Sequence, residues 1–366
     1  MSSLNQDFTK LGFAKTYLVP ALLIFLVPTI SLVFFLHAQS KYDADVRSEF
    51  ISMIKNDQQM TDDEKAESRK IYEEVPFSTM ILNEEFAANF PSDLLFPFQC
   101  FRWFIRISFW SIVSGIAVFV TAGILLVLSL RSSYTQYLSL SIGWNLLRFY
   151  SALQTIVQTG LSIALSYWVT ALWTNRFYPK LILIVGLAAL AAVIMVIVAI
   201  FKRPNLDFAV EGEVVDKDSN HSLWKELKKI CEQSKTELPD QVIVGIDDNF
   251  FVTEQPVIVK DKEYRGRTLF VSLSLLKQLN GSEADAVLAH EMAHFSGHDT
   301  LYSKKISPLL TRYGNYLVAL YEGGITLPVF YFMNCFRSLF ELSLGKRNRE
   351  REFRADRLAG EITSPQ

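Results

Sequence analysis

The chain has 366 residues, half of them hydrophobic and 13% aromatic, with a formal net charge of −2. Its mean hydropathy of +0.21 is too high for an ordinary soluble domain of this length and points to membrane-embedded segments. The near-neutral charge excludes an electrostatic case for nucleic-acid binding. Three scattered cysteines, Cys100, Cys231 and Cys335, with no Cys-x-x-Cys, exclude a disulfide framework and a thiolate metal site.

A short polar leader carrying Lys10 and Lys15 is followed by an uncharged run over residues 16–36, long enough to span a bilayer and too long for a typical signal-peptide core. It reads as a retained first span. Residues 38–103 change character, with 7 basic and 13 acidic side chains and apolar residues at helical spacing around Phe50, Ile51, Ile54 and Ile71. A small helical segment between two spans is expected there, either a plain connection or a partner-binding element.

Residues 107–130, bounded by Arg106 and Arg131, form a second predicted span. Residues 132–149 are mixed and suit the membrane interface. A third span is expected over 149–175, where Gln154 and Gln158 should face other helices, and a fourth over 181–201, closed by Lys202 and Arg203. With the N-terminus inside, near-membrane Lys and Arg balance on the two sides, so the positive-inside rule does not decide the orientation.

The composition from residue 204 onward is that of a soluble α+β domain. Residues 221–236 predict an amphipathic helix with Leu223, Leu227, Ile230 and Cys231 on one side. Strands are expected over 241–246, 256–260 and 268–272, with a turn at Asp247-Asp248-Asn249.

The chemistry concentrates in residues 282–299, SEADAVLAHEMAHFSGHD. Ser282 with Asp285 resembles a capping box, and Gly297 offers a stop. On a helix, His290 and His294 project from one face a turn apart, the spacing two imidazoles need to reach one Zn²⁺ at about 2.0–2.1 Å. Glu291 stands where a carboxylate can take a proton from water activated by the metal.

A catalytic zinc needs a third protein ligand. A His-x-x-Gly continuation begins like a metzincin, but Thr300 occupies the third-histidine position and Asp299 lies one place early. His298, on a third successive turn, drifts away from the shared metal. Glu322, Glu341, Glu350, Glu352 and Glu361 remain. Glu352 stands out because Asp356 follows one helical turn later, where it could orient a histidine; the alternative is a solvated helix of alternating charge.

The segments LLKQLNGSEADAVLAHEMAHFSGHD and EFRADRLAG together resemble the HtpX-like and CAAX prenyl protease-type membrane zinc metallopeptidases, over roughly residues 220–360. The resemblance implies one zinc held by His290, His294 and Glu352, with Glu291 as general base and Asp356 behind the ligands. It also implies that Leu269, Phe270 and Val271 lie at or near a sheet edge that pairs with substrate, the alternative being sheet core. Residues 305–345 are expected to form a helical hairpin on the membrane surface or against the spans. Family members generally continue past Asp356 to a basic or histidine residue that assists at the oxyanion; the ten residues after Asp356 supply no such group, so that help is expected from elsewhere or from a longer chain.

The expected architecture is therefore α+β: a multi-span α-helical membrane region plus a zincin-like metallopeptidase domain. The expected divisions are a leader and first span (1–37), an acidic helical segment (38–103), three further spans (104–203) and a peptidase domain (204–366). The function to test is a membrane zinc endopeptidase acting on polypeptides in or near the lipid bilayer, with no nucleic-acid partner. The resemblance and an even number of spans place it in a bacterial inner membrane with the catalytic domain on the cytoplasmic side. The competing reading is a membrane sensor or scaffold that binds a partner through 38–103.

Overall fold

A computed structural model describes residue 12 and residues 14–174, 176–202, 208–295 and 305–363. Lys10, Arg203, Gly297, His298, Asp299 and Thr300, which entered the sequence reading, lie outside the described residues. Among the described residues, four helices are long and apolar enough to cross a membrane. The first runs over Ala14–Asn56 and becomes a regular α-helix, α1, at Leu26–Asn56; before it the backbone passes through a π turn and a 3₁₀ turn. Pro20, which has no amide hydrogen to donate, lies in this irregular stretch.

Helix α1 continues past its apolar half towards α2 (Asp62–Glu74), which opens on a reciprocal cap between Thr61 and Glu64. Between α2 and the next span, Phe86, Phe90 and Phe98 gather with Phe50 of α1 around Phe77. Asp43 of α1 is buried and accepts from the Ser78 amide and hydroxyl, both at 2.7 Å. The 38–103 segment is thus helical with an apolar core of its own, although Ile71 faces outward.

The other long helices are α3 (Ser92–Ser129), α4 (Ser133–Thr174) and α5 (Pro179–Phe201). On α5, Leu183, Ile184 and Leu187 are 62%, 65% and 59% exposed, as lipid-facing apolar side chains should be. The structure corrects the reading of 132–149 as an interfacial stretch separate from the third span. Ser132 and Thr135 cap each other's amides, and α4 then runs unbroken. The mixed composition of 132–149 reflects an amphipathic half-helix, with Leu140, Trp144 and Leu147 buried along one stripe.

The remaining helices and strands form the α+β part. Helix α6 (His221–Ser234) buries Leu227, Ile230 and Cys231, as its pattern predicts. The strands are β1 (Phe208–Ala209), β2 (Glu213–Val214), β3 (Gln241–Gly245), β4 (Phe251–Thr253), β5 (Val257–Val259), β6 (Lys262–Tyr264) and β7 (Thr268–Ser272). One sheet has the order β1-β5-β6 and the other β2-β3-β7-β4. In the second, β7 runs parallel to β3 and antiparallel to β4. Helices α7 (Gly281–Phe295), α8 (Ser307–Glu322) and α9 (Leu327–Thr363) complete the described chain.

This topology corrects the expectation for Leu269, Phe270 and Val271. They lie on a central strand and are 0–2% exposed, because β7 is paired on both sides and covered on both faces. The edges of this sheet are β2 and β4, and β4, next to β7, has no partner on its other side among the described residues.

The expected hairpin is present as α8 and α9, with the buried Tyr313 hydroxyl donating to the Met333 carbonyl at 2.6 Å. It packs against a span: Trp144 of α4 stacks on Tyr313 and Tyr316, with ring centroids 4.6 and 5.2 Å apart. The chain forms two compact units. One comprises residues up to Val120, Arg148–Val198 and Gly323–Phe332; the other comprises Thr121–Leu147, Ala199–Glu322 and residues from Met333 onward.

An ion pair secures the end of β4. Arg267 Nε donates to Glu254 Oε1 at 3.1 Å, and the Glu254 side chain is only 3% exposed. Arg267 also meets Glu237 at 3.1 Å and lies over the Phe295 ring. Removing one partner of a buried pair costs more than replacing both. Arg267→Ala should therefore lower stability by about 3 kcal/mol, and Arg267→Met with Glu254→Gln should recover most of it, as read by thermal unfolding in detergent.

Candidate metal centre

The centre is built on α7. Its start is fixed by Asn280, whose Oδ1 accepts from the Glu283 amide at 3.0 Å while Glu283 Oε2 accepts from the Asn280 amide at 2.8 Å. This reciprocal cap replaces the one expected between Ser282 and Asp285, because the helix begins two residues earlier than that pairing requires. Leu288, Ala289, Met292 and Phe295 of α7 enter a core shared with Leu227, Ile230 and Cys231 of α6 and with Val242, Leu269 and Val271 of the sheet. That burial sets the rotation of α7, and His290, Glu291 and His294 are left only partly buried.

Helix α9 brings the other half of the site. Glu352, Ala355, Asp356 and Ala359 recur at the spacing of one helical face. Ala355 is 1% exposed, and Ala359 joins the same core as α7. Side chains this small permit a close helix approach. Further back, α9 is held to the turn between α3 and α4: Gln136 donates to the Ser343 hydroxyl at 3.0 Å, Ser343 to the Ser129 carbonyl at 3.2 Å, and Arg347 to the Leu130 carbonyl at 3.2 Å.

At the junction, the Nε2 atoms of His290 and His294 are 3.3 Å apart. Glu352 Oε2 lies 3.5 Å from His290 Nε2 and 3.8 Å from His294 Nε2. Ligands at about 2.0–2.1 Å around a tetrahedral zinc are separated by about 3.3–3.4 Å. Three groups with one ligand atom each converge on a single point at nearly that spacing, so this donor set fits zinc.

The Nδ1 atom of His290 lies 2.9 Å from Asp356 Oδ1. A proton held at Nδ1 by this carboxylate leaves the Nε2 lone pair directed at the convergence point. The other candidate glutamates do not reach the histidines. Glu341 pairs with Arg337 at 3.1 Å, Glu350 with Arg347 at 2.7 Å and Glu361 with Arg357 at 2.9 Å, and Glu322 ends α8 outside the cluster.

Glu291 and His294 line a cleft of about 580 Å³ together with Glu352, Arg351, Phe295, Asn249 and the edge strand β4. Burial pushes the Glu291 carboxyl up to about 7; nearby His294 opposes the shift and Glu352 adds to it. A dication at the convergence point would pull it back down. The β4 edge and Arg351 went unread in the sequence, although the aromatic and β-branched run Phe250-Phe251-Val252-Thr253 carried a strand signal.

Residues 262–366 match the sequence model of peptidase family M48. Over these residues the chain is similar to that family. The matched segment contains β7, both helices of the metal centre and the hairpin, and begins after β4 and α6. It is shorter than the stretch of roughly residues 220–360 over which the sequence resembles the HtpX-like and CAAX prenyl protease-type peptidases. No curated protein and no solved structure matches the chain. The match supports a peptidase function, and the four helices have the length and apolar composition of membrane spans.

A larger side chain at Ala359 should push α9 away from α7 and spread the ligand atoms. Ala359→Leu is expected to weaken divalent-metal binding by about tenfold or more, measured by competition with a chelating dye, while helical content by circular dichroism stays unchanged.

Proposed function

We propose that this protein is a membrane-anchored, zinc-dependent endopeptidase that cleaves polypeptides in or next to the bilayer. The observation that carries the reading is the convergence of His290 Nε2, His294 Nε2 and Glu352 Oε2 beside the partly buried Glu291. Bound by these three residues, zinc would polarise the scissile carbonyl and make water a better acid. Glu291 takes the proton from the attacking water as its oxygen bonds to the carbonyl carbon. The same carboxyl then delivers that proton to the amide nitrogen as the C–N bond breaks, leaving an acid and an amine. Asp356 keeps His290 in the tautomer a ligand needs.

Strand β4 takes the substrate role first expected of β7. Its outer edge offers backbone hydrogen bonds to an extended peptide along the cleft. Four membrane-crossing helices return the chain to its starting side, which supports a catalytic domain facing the cytoplasm of a bacterial inner membrane when the N-terminus is inside. Residues 38–103 then lie on the opposite side as a connecting element.

The purified protein should bind one zinc per chain and cleave an unfolded polypeptide such as casein. Glu291→Gln should keep the zinc and lose turnover by at least about 10²-fold, whereas Glu352→Ala should lose the zinc. Zinc binding by the wild type without cleavage of any polypeptide would favour the sensor or scaffold reading. Full metal and activity in Glu352→Ala would move the third ligand elsewhere. Asp356→Ala should bind zinc about 10–100-fold more weakly, measured by chelator competition.

A further inference from the structure

The cleft next to the metal centre is lined by three carboxylates, Glu254, Glu291 and Glu352. Glu254 is engaged by Arg267, whereas Glu291 and Glu352 stand at the site of reaction. Attack of water on a peptide carbonyl moves the C=O π pair onto oxygen, and these carboxylates repel the resulting negative charge. Among the described residues lining the cleft, Arg351 is the one lysine or arginine. It directly precedes Glu352 on α9, so the two side chains leave the helix about 100° apart and border the cleft from different directions. Its Nη2 donates to Asn348 Oδ1, one turn earlier, at 2.7 Å.

We propose that Arg351 is a catalytic residue that donates a hydrogen bond to the scissile carbonyl oxygen as that oxygen becomes an anion. The proposal rests on the peptidase reading above. Arg351 exchanges no proton: water supplies the oxygen and the proton, Glu291 carries that proton to the leaving nitrogen, and the pair on the oxyanion reforms the C=O bond as C–N breaks. A guanidinium suits the role because it stays charged at every working pH and presents its donors in a fixed planar fork. The bond to Asn348 restrains that fork before substrate arrives, and a donor already in place strengthens with the developing charge without reorganising.

The test uses the full chain in detergent micelles, loaded with zinc, with a quenched fluorescent peptide that the wild type cleaves. Arg351→Met and Arg351→Lys are compared in three readouts: zinc content, the split between kcat and KM, and affinity for a phosphonamidate peptide, whose tetrahedral anionic phosphorus group imitates the transition state. Arg351→Met should keep one zinc, lose about 10²–10³-fold in kcat with KM within a few-fold, and bind the phosphonamidate more weakly by a similar factor. Arg351→Lys should lie between it and the wild type.

Unchanged kcat in Arg351→Met overturns the proposal. Loss of zinc also overturns it, since Arg351 would then be supporting Glu352. A rise in KM alone, with phosphonamidate affinity unchanged, overturns it too, because the residue would be binding substrate without favouring the transition state. A wild type that cleaves no peptide brings down the peptidase reading and this proposal together, whereas an active wild type with an equally active Arg351→Met brings down only the proposal.

Discussion

The closeness of α7 and α9 is the constraint on which the candidate site depends. Each helix contributes two polar groups one turn apart: His290 and His294 from α7, Glu352 and Asp356 from α9. Neither pair suffices for a catalytic zinc, which needs three protein ligands. The helices meet through their apolar sides, with Met292 and Ala289 of α7 in the same core as Ala359 of α9, and the polar groups come together at the border of that core. The 2.9 Å contact between His290 and Asp356 then sets the imidazole in place. Apolar packing therefore fixes the distances that a metal held here would need.

The centre carries an electrostatic cost that the rest of the site relieves. Three carboxylates line one cleft, and burial raises the Glu291 carboxyl to about 7. A dication at the convergence point would lower the cost of ionising Glu291 and so favour its carboxylate form. Glu254 is removed from this competition by Arg267, which also lies against Phe295 at the end of α7. One arginine thus secures the edge strand and borders the metal helix.

The membrane-crossing helices also contribute to the site's frame. Helix α4 is longer than a bilayer requires, and Leu140, Trp144 and Leu147 on its first turns are buried. Trp144 receives Tyr313 and Tyr316 of α8, while Gln136, together with Ser129 at the end of α3, engages Ser343 of α9. Helix α9, which carries Glu352, is therefore tied to the turn between two spans.

What the sequence determined by itself was local and periodic: the apolar runs that became four long helices, the amphipathic stripe of α6, and the four-residue spacing of His290 and His294. These follow from side chains a few positions apart on one element, which the chain order states directly. The choice of Glu352 over Glu322, Glu341, Glu350 and Glu361 needed the tertiary structure, because residues alone left it balanced against a solvated charged helix, and only the packing of α9 on α7 separates them. Strand order needed it as well: Leu269, Phe270 and Val271 look equally suited to an edge or a centre, and it is pairing with both β3 and β4 that makes them central and hands the edge to β4. The start of α4 was obscured because a half-buried helix carries polar residues that resemble an interface. In each case the deciding contact joins residues far apart in the chain, and no local pattern encodes which of several similar side chains will be the one that meets its partner.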